Sequence, residues 1–210
     1  MSVLENISAA LQAGKAKDVA QLVEEALNNG TSAQAILDNG LLKGMGEVGV
    51  KFKNNEVYVP EVLIAARALN KGMELLKAKL NEEGVEPIGK AVICTVKGDL
   101  HDIGKNLVKM MLEGTGFEVI DLGVDVSEDK IIETIKEHNP QILCLSALLT
   151  TTMNQLQVVI EALKTAGIRD NIKVMIGGAP ITQAFSDQVG ADAYTADAAT
   201  AAEVARAFVA

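Results

Sequence analysis

From residue 89 onward the chain alternates between two textures, and this alternation constrains the fold more than any other feature. Four short apolar runs rich in Val and Ile, AVICTV, FEVIDLG, ILCLSA and KVMIGG, are separated by segments of helical spacing near 104–114, 127–138 and 151–166. A weaker strand, DAYTA, and an Ala-rich last helix from about 198 complete the series. Parallel strands cannot be joined by tight turns and require crossover connections, so strands that alternate with helices specify a parallel sheet covered on both faces. The expectation is a doubly wound, five-stranded α/β domain of the flavodoxin or Rossmann kind.

The first 80 or so residues read differently. Leu4, Ile7 and Leu11 recur at helical spacing, as do Val19, Leu22, Val23, Ala26 and Leu27, with polar residues between them. A turn at Asn28, Asn29 and Gly30 follows, and Thr31 with Gln34 reads as the capping box of a third helix. The segment KFKNNEVYV breaks the pattern, and Pro60 suits the first turn of the next helix, which carries Val62, Leu63, Ala66, Leu69 and Met73. Helices with short connections predict an antiparallel bundle over residues 1–86. The stretch NEEGVEPIG is the expected linker to an α/β domain over 87–210.

Charge and composition narrow the function. Nineteen basic residues against 28 acidic ones give a net charge of −9, with no basic run to grip a phosphate backbone, so no nucleic-acid partner is expected. No run reaches the length of a membrane span, and MSVLENISAALQ lacks the features of a secretory signal, so a cytoplasmic protein without a membrane partner is expected. Cys94 and Cys144 sit within apolar runs and read as small buried hydrophobes. Aromatics are scarce, with no Trp, two Tyr and four Phe, yet Phe52 and Tyr58 fall within a few residues of each other.

In an open parallel sheet the ligand lies beyond the carboxyl ends of the strands, where strand order reverses. The informative residues therefore follow the strands: Gly98-Asp99-Leu100-His101-Asp102-Ile103-Gly104 after the first, Ser146 to Thr152 after the third, and Gly177-Gly178 after the fourth. His101 is one of only two histidines and has Asp99 and Asp102 beside it. A histidine whose second ring nitrogen bonds a carboxylate is a common metal ligand, because the carboxylate fixes the tautomer. The alternative is a surface loop in which both aspartates are solvated. A zinc site built by protein alone needs three or four ligands, and His138 reads as a helix-end residue, so a metal here would arrive already chelated. No phosphate-binding glycine motif and no nucleophile elbow is present.

Asp99-x-His101-x-x-Gly104, Ser146-x-Leu148 and Gly177-Gly178, preceded by a helical segment containing GEVGVKFKNNEVYVPEVLIAA, resemble the cobalamin-binding domain with its helical cap. The chain is similar over essentially its whole length to the corrinoid proteins of methyltransferase systems and to the corresponding module of methionine synthase. The resemblance implies cobalamin or a related corrinoid bound with its benzimidazole displaced and His101 as the lower axial ligand to cobalt. It implies that Asp99 accepts a hydrogen bond from His101, and that Thr152, where methionine synthase has Ser, contacts Asp99. Gly98, Leu100, Asp102, Ile103 and Gly104 would complete the first loop around the cofactor. Ser146, Leu148 and Thr150 would line the slot for the displaced tail, Gly177 and Gly178 its other wall, and Ala198 its far end. Phe52, Val59 and Val62 match residues that cover the upper corrin face.

By the same resemblance the protein would carry a methyl group on cobalt, cycling between cob(I)alamin and methylcobalamin. A substrate-specific methyltransferase would load it, and an acceptor methyltransferase would unload it onto a folate or a thiol. A reductive activation protein would be a further partner, and catalysis would need these other components. A cobalamin sensor or storage module without methyl traffic is the alternative. Sensors of this type usually append a DNA-binding domain, whereas residues 1–88 carry nine basic and twelve acidic residues and no basic recognition helix. A further alternative is an isomerase subunit using adenosylcobalamin; such enzymes resemble this cofactor domain but rely on a large catalytic barrel and would not need a cap of this length.

Overall fold

A computed structural model describes residues 2–210. The described residues divide into two compact units, one running to Pro87 with the turn Gly114–Gly116, the other comprising Ile88–Glu113 and Phe117–Ala210.

The first unit is helical. Its elements are α1 (Val3–Gln12), α2 (Ala16–Asn28), α3 (Ala33–Ile36), a π-helical turn (Leu37–Leu42), α4 (Lys43–Lys53) and α5 (Val59–Glu83). The cap of α3 differs from the expected Thr31–Gln34 box. Ser32 is the N-cap and accepts from the Ala35 N–H at 3.2 Å, while the Thr31 N–H is already committed to the Ala26 carbonyl. Glu83, the last residue of α5, accepts from the Ala33 and Gln34 N–H groups at 3.0 and 3.3 Å, so a carboxylate satisfies donors that a helix start leaves open. Gly72 lets α5 approach its neighbours closely: a Cβ there would lie 2.8 Å from Leu41 Cδ2 and 3.3 Å from Val19 Cγ1. Ile7, Leu11, Ile36, Leu41, Met45, Leu69 and Leu76 are the largest fully buried side chains of this core.

The second unit is the expected doubly wound domain. Strands β1 (Lys90–Thr95), β2 (Glu118–Asp121), β3 (Ile142–Ser146), β4 (Lys173–Gly177) and β5 (Ala193–Tyr194) form one sheet in the order β2-β1-β3-β4-β5, with every pairing parallel. Between them run α6 (Ile103–Glu113), α7 (Glu128–His138), α8 (Met153–Thr165), α9 (Gln183–Val189) and, last, α10 (Ala198–Val209). Val92, Cys94, Leu143, Leu145, Val174 and Ile176 point to one face and pack with Ile131 and Ile135 of α7 and Leu156, Val159 and Leu163 of α8. Helices α6 and α10 pack against each other. Central strands buried on both faces explain the unbroken Val and Ile runs.

Helix α9 was not expected, because QAFSDQV lacks an apolar stripe; Thr182 caps it by accepting from Phe185 N–H. The weak strand DAYTA contributes only two residues at the sheet edge. Cys94 and Cys144 are buried, and burial pushes both thiols up to about 12. Since Cys144 pairs in register with Ile93, the two cysteines lie on opposite faces of the sheet. No helix among the described residues is long and apolar enough to cross a membrane.

Candidate functional site

The strand order reverses between β1 and β3, and the loops that follow these two strands meet there. Asp99 joins them. It is completely buried, and its carboxylate accepts five hydrogen bonds. Oδ1 takes the His101 main-chain N–H at 3.1 Å and lies 2.7 Å from His101 Nδ1. Oδ2 takes the N–H groups of Leu148 and Leu149 at 2.7 and 3.2 Å and the Thr152 hydroxyl at 2.7 Å.

Burial is the largest influence on this carboxyl and pushes its pKa up. The hydrogen bonds from Thr152, His101 and Leu148 more than offset it and hold the group well below the usual carboxylate range. Asp99 is therefore ionised at neutral pH and can only accept. It follows that Nδ1 of a neutral His101 carries the ring proton and Nε2 carries the lone pair. Nε2 has no protein partner among the described residues, and the imidazole is about half exposed (49%).

Thr152 is the N-cap of α8, but its hydroxyl makes no capping bond. The single proton goes to the charged Asp99 oxygen; the Leu149 carbonyl lies at 2.9 Å. Its methyl carbon would stand 3.7 Å from a Cβ on Gly98, an ordinary contact, so the threonine methyl does not displace the hydroxyl. Of the two aspartates flanking His101 only Asp99 meets the ring. Asp102 accepts from Asn106 through both its carbonyl, at 2.7 Å, and its carboxylate, at 3.1 Å, and so serves the start of α6.

The loop after β1 is unusual in what it exposes. Leu100 and Ile103 are each 72% accessible, and Leu148 and Leu149 on the opposite loop are also exposed. Four large apolar side chains around one half-exposed imidazole make a surface suited to a flat, largely apolar ligand. Gly104 adds room, since a Cβ there would meet no atom within 4 Å. Gly98 needs glycine for its own backbone, at φ +81°.

The remaining expected residues are distributed as follows. Ser146 ends β3 half-buried and its carbonyl accepts from Val96 N–H; Thr150 is exposed in the turn before α8. Gly177 ends β4, and Gly178, at φ +133°, lies against the Ala147 main chain, where a Cβ would overlap the carbonyl oxygen. Ala198 is buried as the first residue of α10. In the helical unit Phe52 and Val59 are half-buried at the α4–α5 junction, whereas Val62 is fully buried and presents no surface.

Sequence reasoning missed several parts of the site. The Leu148 and Leu149 N–H groups act through the main chain and leave no mark in residue type. Lys105, two residues from Ile103, is buried and pairs through Nζ with both oxygens of Asp121 at 2.7 and 2.8 Å, which holds that carboxyl below its ordinary range against the opposing effect of burial. Thr95, also fully buried, donates its hydroxyl to the His101 carbonyl at 2.8 Å.

Comparison with known proteins identifies the family of the chain. Two families, each described as a B12 binding domain, match residues 89–206 and 3–77. Trimethylamine corrinoid protein 1 of Methanosarcina acetivorans is 47% identical over 178 residues, covering 83% of this chain and 82% of the relative. Dimethylamine corrinoid protein 1 of the same organism is 42% identical over 209 residues, covering 99% and 98%. Among solved structures, a cobalamin-binding protein from Desulfitobacterium hafniense DCB-2 is 33% identical with a TM-score of 0.81, covering 99% of this chain and 98% of that one. The methanol:cobalamin methyltransferase complex of Methanosarcina barkeri contains a chain 31% identical with a TM-score of 0.89, covering 99% and 79%. The chain belongs to the B12-binding corrinoid proteins of methyltransferase systems, and its cofactor is cobalamin or a related corrinoid.

Proposed function

We propose that this protein is a methyl carrier that holds its corrinoid with the benzimidazole displaced and His101 Nε2 as the lower ligand of cobalt. The observation that carries the reading is the chain of contacts from Thr152 through Asp99 to His101 Nδ1, which leaves Nε2 with a lone pair and no partner among the described residues. A metal-binding histidine commonly donates its other ring N–H to a carboxylate, and that carboxylate is here fully hydrogen-bonded. The residues also fit the rest of the group: Leu100, Ile103, Leu148 and Leu149 offer apolar surface, and Gly104 offers open space.

When bound, the corrinoid supplies a cobalt centre able to accept a methyl group and give it up. The chain's own residues do the rest. His101 offers a nitrogen donor whose orientation is set on three sides, by Thr95 at its carbonyl and by Asp99 at its N–H and its ring. Asp99, ionised and buried, would fix the ring proton on Nδ1 and so keep the Nε2 lone pair available to the metal. Ser146, Leu148 and Thr150, with Gly177, Gly178 and Ala198, receive the displaced tail.

The partners follow from the same reading: a substrate-specific methyltransferase, an acceptor methyltransferase acting on a folate or a thiol, and a reductive activation protein. Relatives named for trimethylamine and dimethylamine, at 47% and 42% identity, favour an amine as methyl donor over methanol, whose protein is 31% identical.

The test is to load the protein with hydroxocobalamin, reduce it, and add each amine or methanol with its methyltransferase. The expected results are nitrogen splitting in the Co(II) resonance that changes when the protein's histidines carry isotopically labelled nitrogen and disappears in His101→Ala, and a donor-dependent spectral change with an amine. Splitting that is unaffected by labelling of the histidines, or that survives His101→Ala, would overturn the ligand assignment. No response to any donor would overturn the carrier role.

A further inference from the structure

We infer that Asp125, in the loop after β2, is a positioning residue for the His101 loop, holding Gly98 and Asp99 in the register that the histidine ligand requires. The inference rests on the ligand reading above and extends it to a residue that lies outside the motif.

Asp125 has φ +55°, in the left-handed region that residues other than glycine seldom occupy. Aspartate tolerates this better than most side chains, yet a glycine would adopt it without strain. What glycine lacks is an acceptor. From this conformation Asp125 Oδ1 accepts the Gly98 N–H at 2.7 Å, while its own N–H donates to the Asp99 carbonyl at 3.0 Å. One residue thus clasps two consecutive residues of the neighbouring loop, one bond in each direction.

The clasp continues the sheet. Beyond the last β1–β2 pair, Thr95 N–H donates to the Gly123 carbonyl, Val126 N–H donates to the Thr95 carbonyl, and Val96 and Val126 form an isolated parallel bridge. Asp125 adds the outermost rungs, at the point where β1 gives way to the motif. The Asp99 main chain is consequently held at both ends, its N–H by the Val96 carbonyl at 3.1 Å and its carbonyl by Asp125. That matters because the Asp99 carboxylate must meet His101, Leu148 and Thr152 at once, each at 2.7 Å. A shift of its main chain by about an ångström would lengthen these contacts beyond hydrogen-bonding range. Asp125 therefore acts on the imidazole through Asp99, without touching it.

Two variants separate the side chain from the backbone. Asp125→Gly keeps the left-handed backbone and removes the acceptor; Asp125→Asn keeps an acceptor oxygen and tolerates the same φ. The measurements are hydrogen exchange of the Gly98 amide in the apoprotein, the urea midpoint, and the share of Co(II)-loaded protein showing nitrogen splitting. The expected result is exchange about tenfold faster at Gly98 in Asp125→Gly. The nitrogen-ligated share should fall by about half or more, and Asp125→Asn should restore both. A lowered urea midpoint with an unchanged nitrogen-ligated share would overturn the inference, because a merely structural residue would behave so. Absence of nitrogen splitting in the wild type would instead overturn the assignment of His101. Exchange at Gly98 would then still decide the clasp: an unchanged rate in Asp125→Gly would overturn that as well.

Discussion

Thr152 Oγ1 lies 2.7 Å from Asp99 Oδ2, so the hydroxyl reaches the buried carboxylate although threonine carries a methyl group that serine lacks. The methyl is accommodated beside Gly98, which has no side chain to oppose it. Hydrogen bonds to charged groups contribute about 1.5–3 kcal/mol. Thr152→Val, which keeps the volume and removes the donor, should therefore lower stability by about 2 kcal/mol in urea unfolding and reduce the share of histidine-ligated cobalt. Thr152→Ser should stay within about 1 kcal/mol of the wild type and preserve ligation, since it retains the hydroxyl. Equal loss in both variants would show that packing, and not the hydrogen bond, is what position 152 contributes.

Asp99 makes a second prediction, in which the sign of the pH effect is fixed. Its carboxyl is held below the ordinary value of 3.8, and a group lowered on folding contributes stability that is complete above the unfolded value and is withdrawn as pH falls toward the folded one. In Asp99→Asn an amide must face either the Leu148 and Leu149 N–H groups with its NH₂ or the His101 ring N–H with it. The Thr152 hydroxyl can turn to the Leu149 carbonyl, but the two main-chain donors have no such escape. Each orphaned donor costs about 1–3 kcal/mol, so the variant should lose about 2–6 kcal/mol at pH 7. The gap between wild type and variant should hold constant from pH 7 down to about 4 and narrow below it. A gap that closes already between pH 7 and 5 would contradict the assignment.

The Lys105–Asp121 pair ties the start of α6 to the end of β2. The lysine side chain is 2% exposed, and both carboxylate oxygens lie within 2.8 Å of Nζ. Removing one partner of a buried pair leaves a charge without compensation, at a cost of about 3–5 kcal/mol. Lys109 at 3.4 Å and the Gly123 N–H at 2.9 Å remain beside Asp121, which places Lys105→Met at the low end, about 3 kcal/mol. The double variant Lys105→Met with Asp121→Leu should recover most of that loss, because nothing charged is left buried. Thermal unfolding of the two apoproteins distinguishes these outcomes.

Sequence and structure agree where one physical signal dominates. Strands such as AVICTV announce themselves because burial on both faces demands an unbroken apolar run, and the motif loop follows directly from where β1 ends. Asp99 and His101 were legible as a pair because two residues separate little in space. Asp125 was not, since its partnership with Gly98 spans 27 positions and depends on a backbone angle that no spacing encodes. The donors at Leu148 and Leu149 were hidden for a related reason: an N–H group is the same in every residue but proline. Helix α9 escaped because tertiary packing around the buried Ser186 and Val189, and not an apolar period, holds it in place.

Two glycines in the site differ in what requires them, and this gives the last prediction. At Gly178 a Cβ would overlap the Ala147 carbonyl oxygen and stand 2.8 Å from its carbon, at φ +133°; the fold itself excludes any side chain. Gly178→Ala should therefore fail in the apoprotein, with a loss of several kcal/mol or insoluble protein. At Gly104 a Cβ meets nothing within 4 Å, φ is not left-handed, and the residue lies inside α6, where alanine is favoured over glycine by about 0.5–1 kcal/mol. Gly104→Ala should thus raise the urea midpoint of the apoprotein. If the open space above Gly104 is occupied by the corrinoid, the same variant should bind hydroxocobalamin at least about tenfold more weakly, the equivalent of about 1.4 kcal/mol. A variant that is stabler without the cofactor and weaker for it would mark Gly104 as kept for the ligand, whereas unchanged affinity would show that the corrinoid does not approach this helix start closely.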